Sequence, residues 1–147
     1  MIAVDTNILI YAYAPRFEQH LRARASIARL VASAKPWAIP WPCVHEFLAV
    51  LSNRKWHADA PSVAQLMDHI DMWHEAPGLR FLGIGADHWQ QLQRVLERSG
   101  AHGGQVHDAR IAAVCLEAGV SEMWTADRDF SRFPQLLVHN PLLSEPR

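Results

Sequence analysis

Four acidic side chains in this sequence occupy positions where an acid needs a reason. Asp5 lies in MIAVDTNIL, directly after the apolar run Ile2 to Val4 and directly before the polar pair Thr6 and Asn7. Glu46 lies in PCVHEFLAVL, with Cys43 one helical turn before it and Ala49 and Val50 one turn after, so a helix there puts its carboxylate on an apolar face. Asp108, in VHDARIAAVCLEAG, shares a helical face with Ile111, Ala112 and Cys115. Asp127, in WTADRDF, repeats the Asp5 arrangement: an acid just past an apolar strand, with the hydroxyl of Thr125 beside it. Asp129 follows two residues later and competes for the same role.

Singly, each acid has a structural explanation. Asp5 can N-cap a helix, Asp127 or Asp129 can cap a turn, and Asp108 complements a helix dipole. Glu46 can sit at the edge of an exposed stripe. Together they say more, because carboxylates from two strand ends and two inward-facing helical positions would meet in one crevice. Uncompensated, they would repel and raise one another's pKa values. Divalent cations relieve that repulsion, and an all-oxygen pocket without a Cys or His framework suits Mg²⁺ or Mn²⁺ rather than Zn²⁺.

The elements that must carry these acids follow from apolar periodicity. Ile2 to Val4, Trp37 to Ile39, Leu79 to Ile84, Glu122 to Thr125 and Gln135 to His139 read as strands. Helices are expected over residues 6–13, 18–34, 43–51, about 62–75, 86–98 and 106–118, with a short helical turn from Asp127. Alternating strands and helices imply βαβ units and a parallel sheet covered on both faces, in which ligands bind outside the carboxyl ends of the strands. At 147 residues, with no linker, repeat or low-complexity segment, residues 1–147 are expected to form one domain.

Composition narrows the classes. Half the residues are apolar and a fifth are charged, as in a protein with a real core. No basic leader precedes the first apolar run, and no run approaches the roughly 20 residues that span a membrane. Cys43 and Cys115 stand alone, which excludes a disulfide framework and a CxxC site and fits a cytoplasmic location. The net charge of −1 excludes a strongly basic nucleic-acid binder, but with the four acids neutralised 14 basic residues face 11 acidic ones, enough for a few phosphate contacts. Arg110, Arg128 and Arg132, close to the acids in sequence, are the candidate phosphate contacts, or else surface and ion-pairing residues. Trp41 could stack on a base or simply pack between Pro40 and Pro42, and the loop from Gly100 to Gly104 could mould to substrate or simply connect two helices. The run Asp68, His69, Asp71, His74, Glu75 reads as a solvated face, and Gly83-Ile84-Gly85 as a turn rather than a dinucleotide fingerprint.

The ordered combination of VDTN, HEF, HDARIAA and TADRDF resembles the PIN-domain ribonucleases, in particular the VapC-type toxins of bacterial toxin–antitoxin pairs, across essentially the whole chain. The resemblance implies a three-layer α/β/α domain with a central, mainly parallel sheet. It also implies a Mg²⁺-dependent endoribonuclease, with Mn²⁺ as a substitute, that hydrolyses RNA with metal-activated water and leaves a 5′-phosphate and a 3′-hydroxyl. Asp5, Glu46 and Asp108 match the family's three most reliable acids and Asp127 the looser fourth. Asp5 and Asp108 are the expected direct metal ligands, and Thr6, Asn7 and Thr125 match polar positions that orient acids or water. A VapB-like antitoxin and a homodimer are the implied partners. Two other functions compete: a haloacid-dehalogenase-type phosphatase, which wants an Asp where Asn7 stands, and a noncatalytic RNA- or protein-binding module of the same fold.

Overall fold

The computed structural model describes residues 1–143. The chain runs β1 (Ile2–Val4), α1 (Thr6–Tyr13), α2 (His20–Ala32), β2 (Trp37–Pro40), α3 (Trp41–Leu51), α4 (Val63–His74), β3 (Leu79–Leu82), α5 (His88–Ser99), α6 (Gln105–Glu117), β4 (Glu122–Trp124), a 3-10 turn (Arg128–Arg132) and β5 (Leu137–His139). The sheet order is β3-β2-β1-β4-β5, and every pairing in it is parallel. The sheet is thus wholly parallel among the described residues, beyond the mainly parallel arrangement expected.

This order fixes the layers. From β1 the chain steps outward through β2 to β3, then returns past β1 to β4 and β5. Right-handed crossovers put the helices of the outward steps, α1 to α4, on one face and those of the return, α5 and α6, on the other. Accordingly α1 packs against α2 and α3, while α5 packs against α6. The strands are short and their interior positions apolar: Ala3, Val4, Ala38, Ile39 and Met123 are fully buried. α6 is closed in on nearly every side, with Ala109 and Ile111 through Cys115 buried.

Several boundaries move for local reasons. α3 begins at Trp41 rather than Cys43, because Pro42 in the first turn needs no hydrogen-bond acceptor. α5 begins at His88 rather than Ala86: Glu117 accepts from the N–H groups of Gly85 at 3.1 Å and Asp87 at 2.9 Å, holding that stretch as a loop. A side chain at Gly85 would have to displace the same carboxylate. In the acidic run of α4, Asp68, Asp71, His74 and Glu75 are exposed as expected, but His69 is not. It lies among Tyr13, Phe47 and Trp73, with ring centroids 4.9, 6.1 and 5.2 Å away, and burial lowers its pKa.

Candidate active site at the switch point of the sheet

The chain reverses its direction of travel across the sheet between β1 and β4, and the crevice at such a point is where open α/β sheets bind ligands. Two backbone bonds carry the ladder one residue past the strands, from Asp5 N–H to Trp124 O at 2.9 Å and from Thr125 N–H to His139 O at 3.0 Å. Asp5 and Thr125 therefore emerge side by side at the carboxyl ends of neighbouring strands. Thr125 Oγ1 donates to Asp5 Oδ2 at 2.6 Å and itself accepts from Asp127 N–H at 3.0 Å.

Asp5 also caps α1, accepting from Thr6 N–H on Oδ1 at 2.7 Å, while Asn7 Nδ2 donates to Oδ2 at 2.9 Å. Asn7 ties the two strand ends together, since its other atom, Oδ1, accepts from Ala126 N–H at 3.0 Å. A carboxylate has about four lone-pair directions. Three are taken by these bonds, and the fourth lies on Oδ1, where Cys43 Sγ approaches at 3.7 Å. Asp5 is only 4 % exposed, and its pKa rises to about 6. Burial is the main cause, with the charges of Glu46 and Asp108 adding to it and the bonds from Thr125 and Thr6 opposing it.

Glu46 joins from α3. Thr6 Oγ1 donates to its Oε2 at 2.7 Å, so Thr6 holds Asp5 by its backbone and Glu46 by its side chain. Asp108, in the first turn of α6, is half-buried, and its pKa is raised first by burial and then by the charges of Asp127, Glu46 and Asp129. Arg132 acts on it in the opposite sense. Asp127 caps the 3-10 turn, accepting from Asp129 N–H on Oδ1 at 2.8 Å, while Asp129 is exposed. Arg110 stands apart. Two residues along a helix is about 200° around it, so Arg110 leaves α6 on the side away from Asp108, and its Nε is buried without a partner.

The donor set suits a hard divalent cation. Carboxylate oxygens from Asp5, Glu46, Asp108 and Asp127 act on one another through space, and the residual negative potential is what a cation would offset. Cys43, the one soft atom against Asp5, has its pKa driven well up by burial and by the Asp5 charge, so it stays a thiol. Among the described residues, no three His, Cys, Asp or Glu side chains are drawn in around one cation position. A cation that keeps several waters, as Mg²⁺ does, needs no such closed cage.

Sequence reasoning did not anticipate the Cys43 thiol against Asp5. The signal was available, since Cys43 lies one turn before Glu46 on the same face of α3.

The PIN domain family profile matches residues 2–136. The chain belongs to the PIN-domain family. Within it, a VapC ribonuclease of Mycobacterium bovis is 30% identical over 142 residues, covering 97% of this chain and 96% of the relative. This similarity places the chain among the VapC ribonucleases. Ribonuclease VapC48 of Mycobacterium tuberculosis is 25% identical over 93% of this chain and 94% of its own. In fold, this PIN domain is similar to VapBC2 of Rickettsia felis, solved bound to a DNA fragment from its promoter, with TM-score 0.67 at 20% identity over 95% of this chain and 98% of that one. It is also similar to VapC20 of Mycobacterium tuberculosis, described as a sarcin-ricin loop cleaving toxin, with TM-score 0.63 at 22% identity over 89% and 93%. PIN-family membership removes the phosphatase alternative. In this PIN domain Asn7, at the position where that chemistry wants a second acid, is committed to hydrogen bonds with Asp5, Thr125 and Ala126.

Proposed function

We propose that this chain is the endoribonuclease toxin of a toxin–antitoxin pair, hydrolysing RNA phosphodiesters at the carboxylate crevice of Asp5, Glu46, Asp108 and Asp127. The observation that carries the reading is Asp5 itself, a nearly inaccessible carboxylate pinned by donors at the switch point and lying within the fields of Glu46 and Asp108. A merely structural acid needs no such company. Mg²⁺ is the proposed cation, with Mn²⁺ as substitute, because every candidate ligand is a hard oxygen. When bound, such a cation lowers the pKa of water and offsets charge on the phosphoryl group.

The chain's own residues supply the rest. Asp5 is held by Thr6 N–H on Oδ1 and by Asn7 and Thr125 on Oδ2, so a cation would reach Oδ1 by displacing only the long, 3.7 Å contact of the Cys43 thiol. Asp108 is proposed as the second direct ligand, and Glu46, oriented by Thr6, and Asp127, oriented through Thr125, position water opposite the scissile bond. Water oxygen bonds to phosphorus as the bond to the ribose 3′-oxygen breaks, and the proton lost by water ends on that 3′-oxygen. No side chain serves as nucleophile: Cys43 and Cys115 are fully buried and protonated, and the Thr125 hydroxyl is 1 % exposed and donates to Asp5. Arg128 and Arg132 are the proposed phosphate contacts, with Arg110 dropped to a structural role.

A VapB-like antitoxin is the proposed partner, supported by the complexes in which the related folds were solved, and a homodimer is the proposed assembly. Exposed Trp56, Met67 and Met72, on and before α4, support a surface that a protein partner covers. No helix among the described residues is long and apolar enough to cross a membrane, and the cytoplasm is the proposed location. Purified protein with Mg²⁺ is expected to cut structured RNA, and Asp5→Asn to abolish the cut. Equal cleavage by both proteins refutes the reading.

A further inference from the structure

Two concave lobes adjoin the acidic crevice on its β5 side. The nearer encloses about 360 Å³ between Asp127, Arg128, Ser131 and Asn140, and Thr125 forms part of its wall. The farther encloses about 420 Å³ between Tyr11, Gln19, Arg22 and Asn140, with Glu18 also on its wall. Ala126, Asn140 and Leu143 line both, so the two lobes adjoin as a groove with a shared wall, the nearer against the site acids and the farther reaching the beginning of α2. Each lobe has the size that takes one small ligand of about nucleotide dimensions.

The chemistry along the groove is ordered. Exposed Arg128 and Arg22 supply a cation in each lobe. Between them, the amide oxygen of Asn140 accepts from Leu142 N–H at 3.0 Å, leaving its NH₂ to donate elsewhere. The Ser131 hydroxyl donates to Arg128 O at 2.7 Å, which leaves its oxygen as an acceptor. Cation, acceptor, neutral donor, cation is the pattern that a ribose-phosphate chain complements: phosphates meet the arginines, and a 2′-hydroxyl can donate to Ser131.

Resting on the ribonuclease reading, we propose that this groove binds the single-stranded stretch of RNA on one side of the scissile phosphate, two nucleotides deep, with Arg22 and Asn140 as substrate-binding residues. The groove makes recognition of the substrate depend on residues from α2 and from the segment after β5, far in sequence from the acids. Glu18 repels phosphate at the far end and limits the track to that length.

The test uses the full chain in EDTA, where no cleavage confuses the reading, with fluorescent random-sequence RNA pools of four and ten nucleotides. Arg22→Glu and Asn140→Ala are expected to weaken binding of the ten-nucleotide RNA roughly tenfold at low salt, with Arg22→Glu lowering the salt slope by about one. Arg94→Glu, on exposed α5, is the control and is expected to change neither. Because Arg22 Nη1 also reaches Leu142 O at 3.4 Å, a second measurement avoids substitution altogether. RNA carrying 4-thiouridine, irradiated on the wild-type protein, is expected to crosslink within residues 11–22 or 126–143. Crosslinks confined to other segments, or Arg22→Glu binding RNA as the wild type does, overturn the groove. Protection of the groove from modification by the antitoxin protein and not by RNA assigns it to the peptide partner and overturns it as well. If the groove fails while the wild type still cuts RNA with Mg²⁺, the ribonuclease reading stands; if the wild type neither binds nor cuts RNA, that reading fails too.

Discussion

Thr125 donates to Asp5 across 120 residues of chain, at 2.6 Å, the shortest of the bonds that hold the acid. The same hydroxyl oxygen accepts the N–H of Asp127, so one side chain sets the positions of two carboxylates. Thr125→Val keeps the shape and removes both functions. It is expected to cost about 1–3 kcal/mol of stability, because the Asp127 N–H loses its partner. Losing the donor raises the Asp5 pKa further, so the acid limb of the rate profile should move to higher pH, with activity at neutral pH down roughly ten- to a hundredfold. Thr125→Ser should restore both, and a pH–rate profile of the pair with thermal melts checks it.

Thr6 divides its roles between backbone and side chain, which allows them to be separated. Thr6→Val leaves its N–H on Asp5 and frees Glu46 from its 2.7 Å bond. The expectation is a roughly ten- to a hundredfold loss of cleavage with little change in melting temperature, whereas Thr6→Ser should be near wild type. Equal activity in Thr6→Val would show that Glu46 needs no orientation.

Both thiols near the acids should be inert in the native state. Cys43 and Cys115 are fully buried, and burial, with the nearby Asp5 charge, pushes Cys115 up to about 12 and Cys43 well above the usual thiol range. Only thiolate reacts at a useful rate. A chromogenic disulfide reagent at pH 8 is therefore expected to label neither until denaturant is added, and labelling should then track unfolding. Rapid labelling of the native protein contradicts this burial.

What the sequence makes legible here is what strand ends and helical faces carry by themselves. Asp5 and Asp127 stand out because each follows an apolar strand with a polar neighbour, and both are caps in the fold as well as proposed site residues. The switch point was legible only as a general expectation, since strand order depends on how α5 and α6 return across the sheet. Contacts over distance were not legible: the Thr6 bond to Glu46 depends on the rotation of α3 about its axis, and the pocket around His69 on α4 packing against α1. For Arg110, nearness to Asp108 in sequence leaves a phosphate contact and a surface or ion-pairing role both open, and a two-residue step, which turns a helical side chain to the far side, favours a role away from Asp108.

Asp5 makes the pH dependence of stability a direct probe of the site. Its folded pKa of about 6 lies above the ordinary value of 3.8, so the folded protein holds a proton that the unfolded chain releases. The stability this contributes is fully present below about pH 4 and is lost as pH rises through about 6, and the shift corresponds to ~3 kcal/mol. Asp108 acts in the same direction. Metal-free protein is therefore expected to be less stable at pH 7.5 than at pH 4.5 on account of this site, the reverse of ordinary acid denaturation. Asp5→Asn removes the Asp5 share of that slope. Its amide cannot reproduce all the bonds, because one NH₂ must face either Thr6 N–H or the donors from Asn7 and Thr125, so relief of the buried charge is offset by about 1–3 kcal/mol and net stability should change little. A divalent cation favours the ionised acid. At a hundred times its dissociation constant Mg²⁺ should add about 2.7 kcal/mol at pH 7.5 and far less at pH 4.5, and Asp5→Asn should lose most of that gain. Melting curves of both proteins at the two pH values, with and without Mg²⁺, check these expectations together. A cation effect of equal size in the wild type and Asp5→Asn would move the metal away from Asp5.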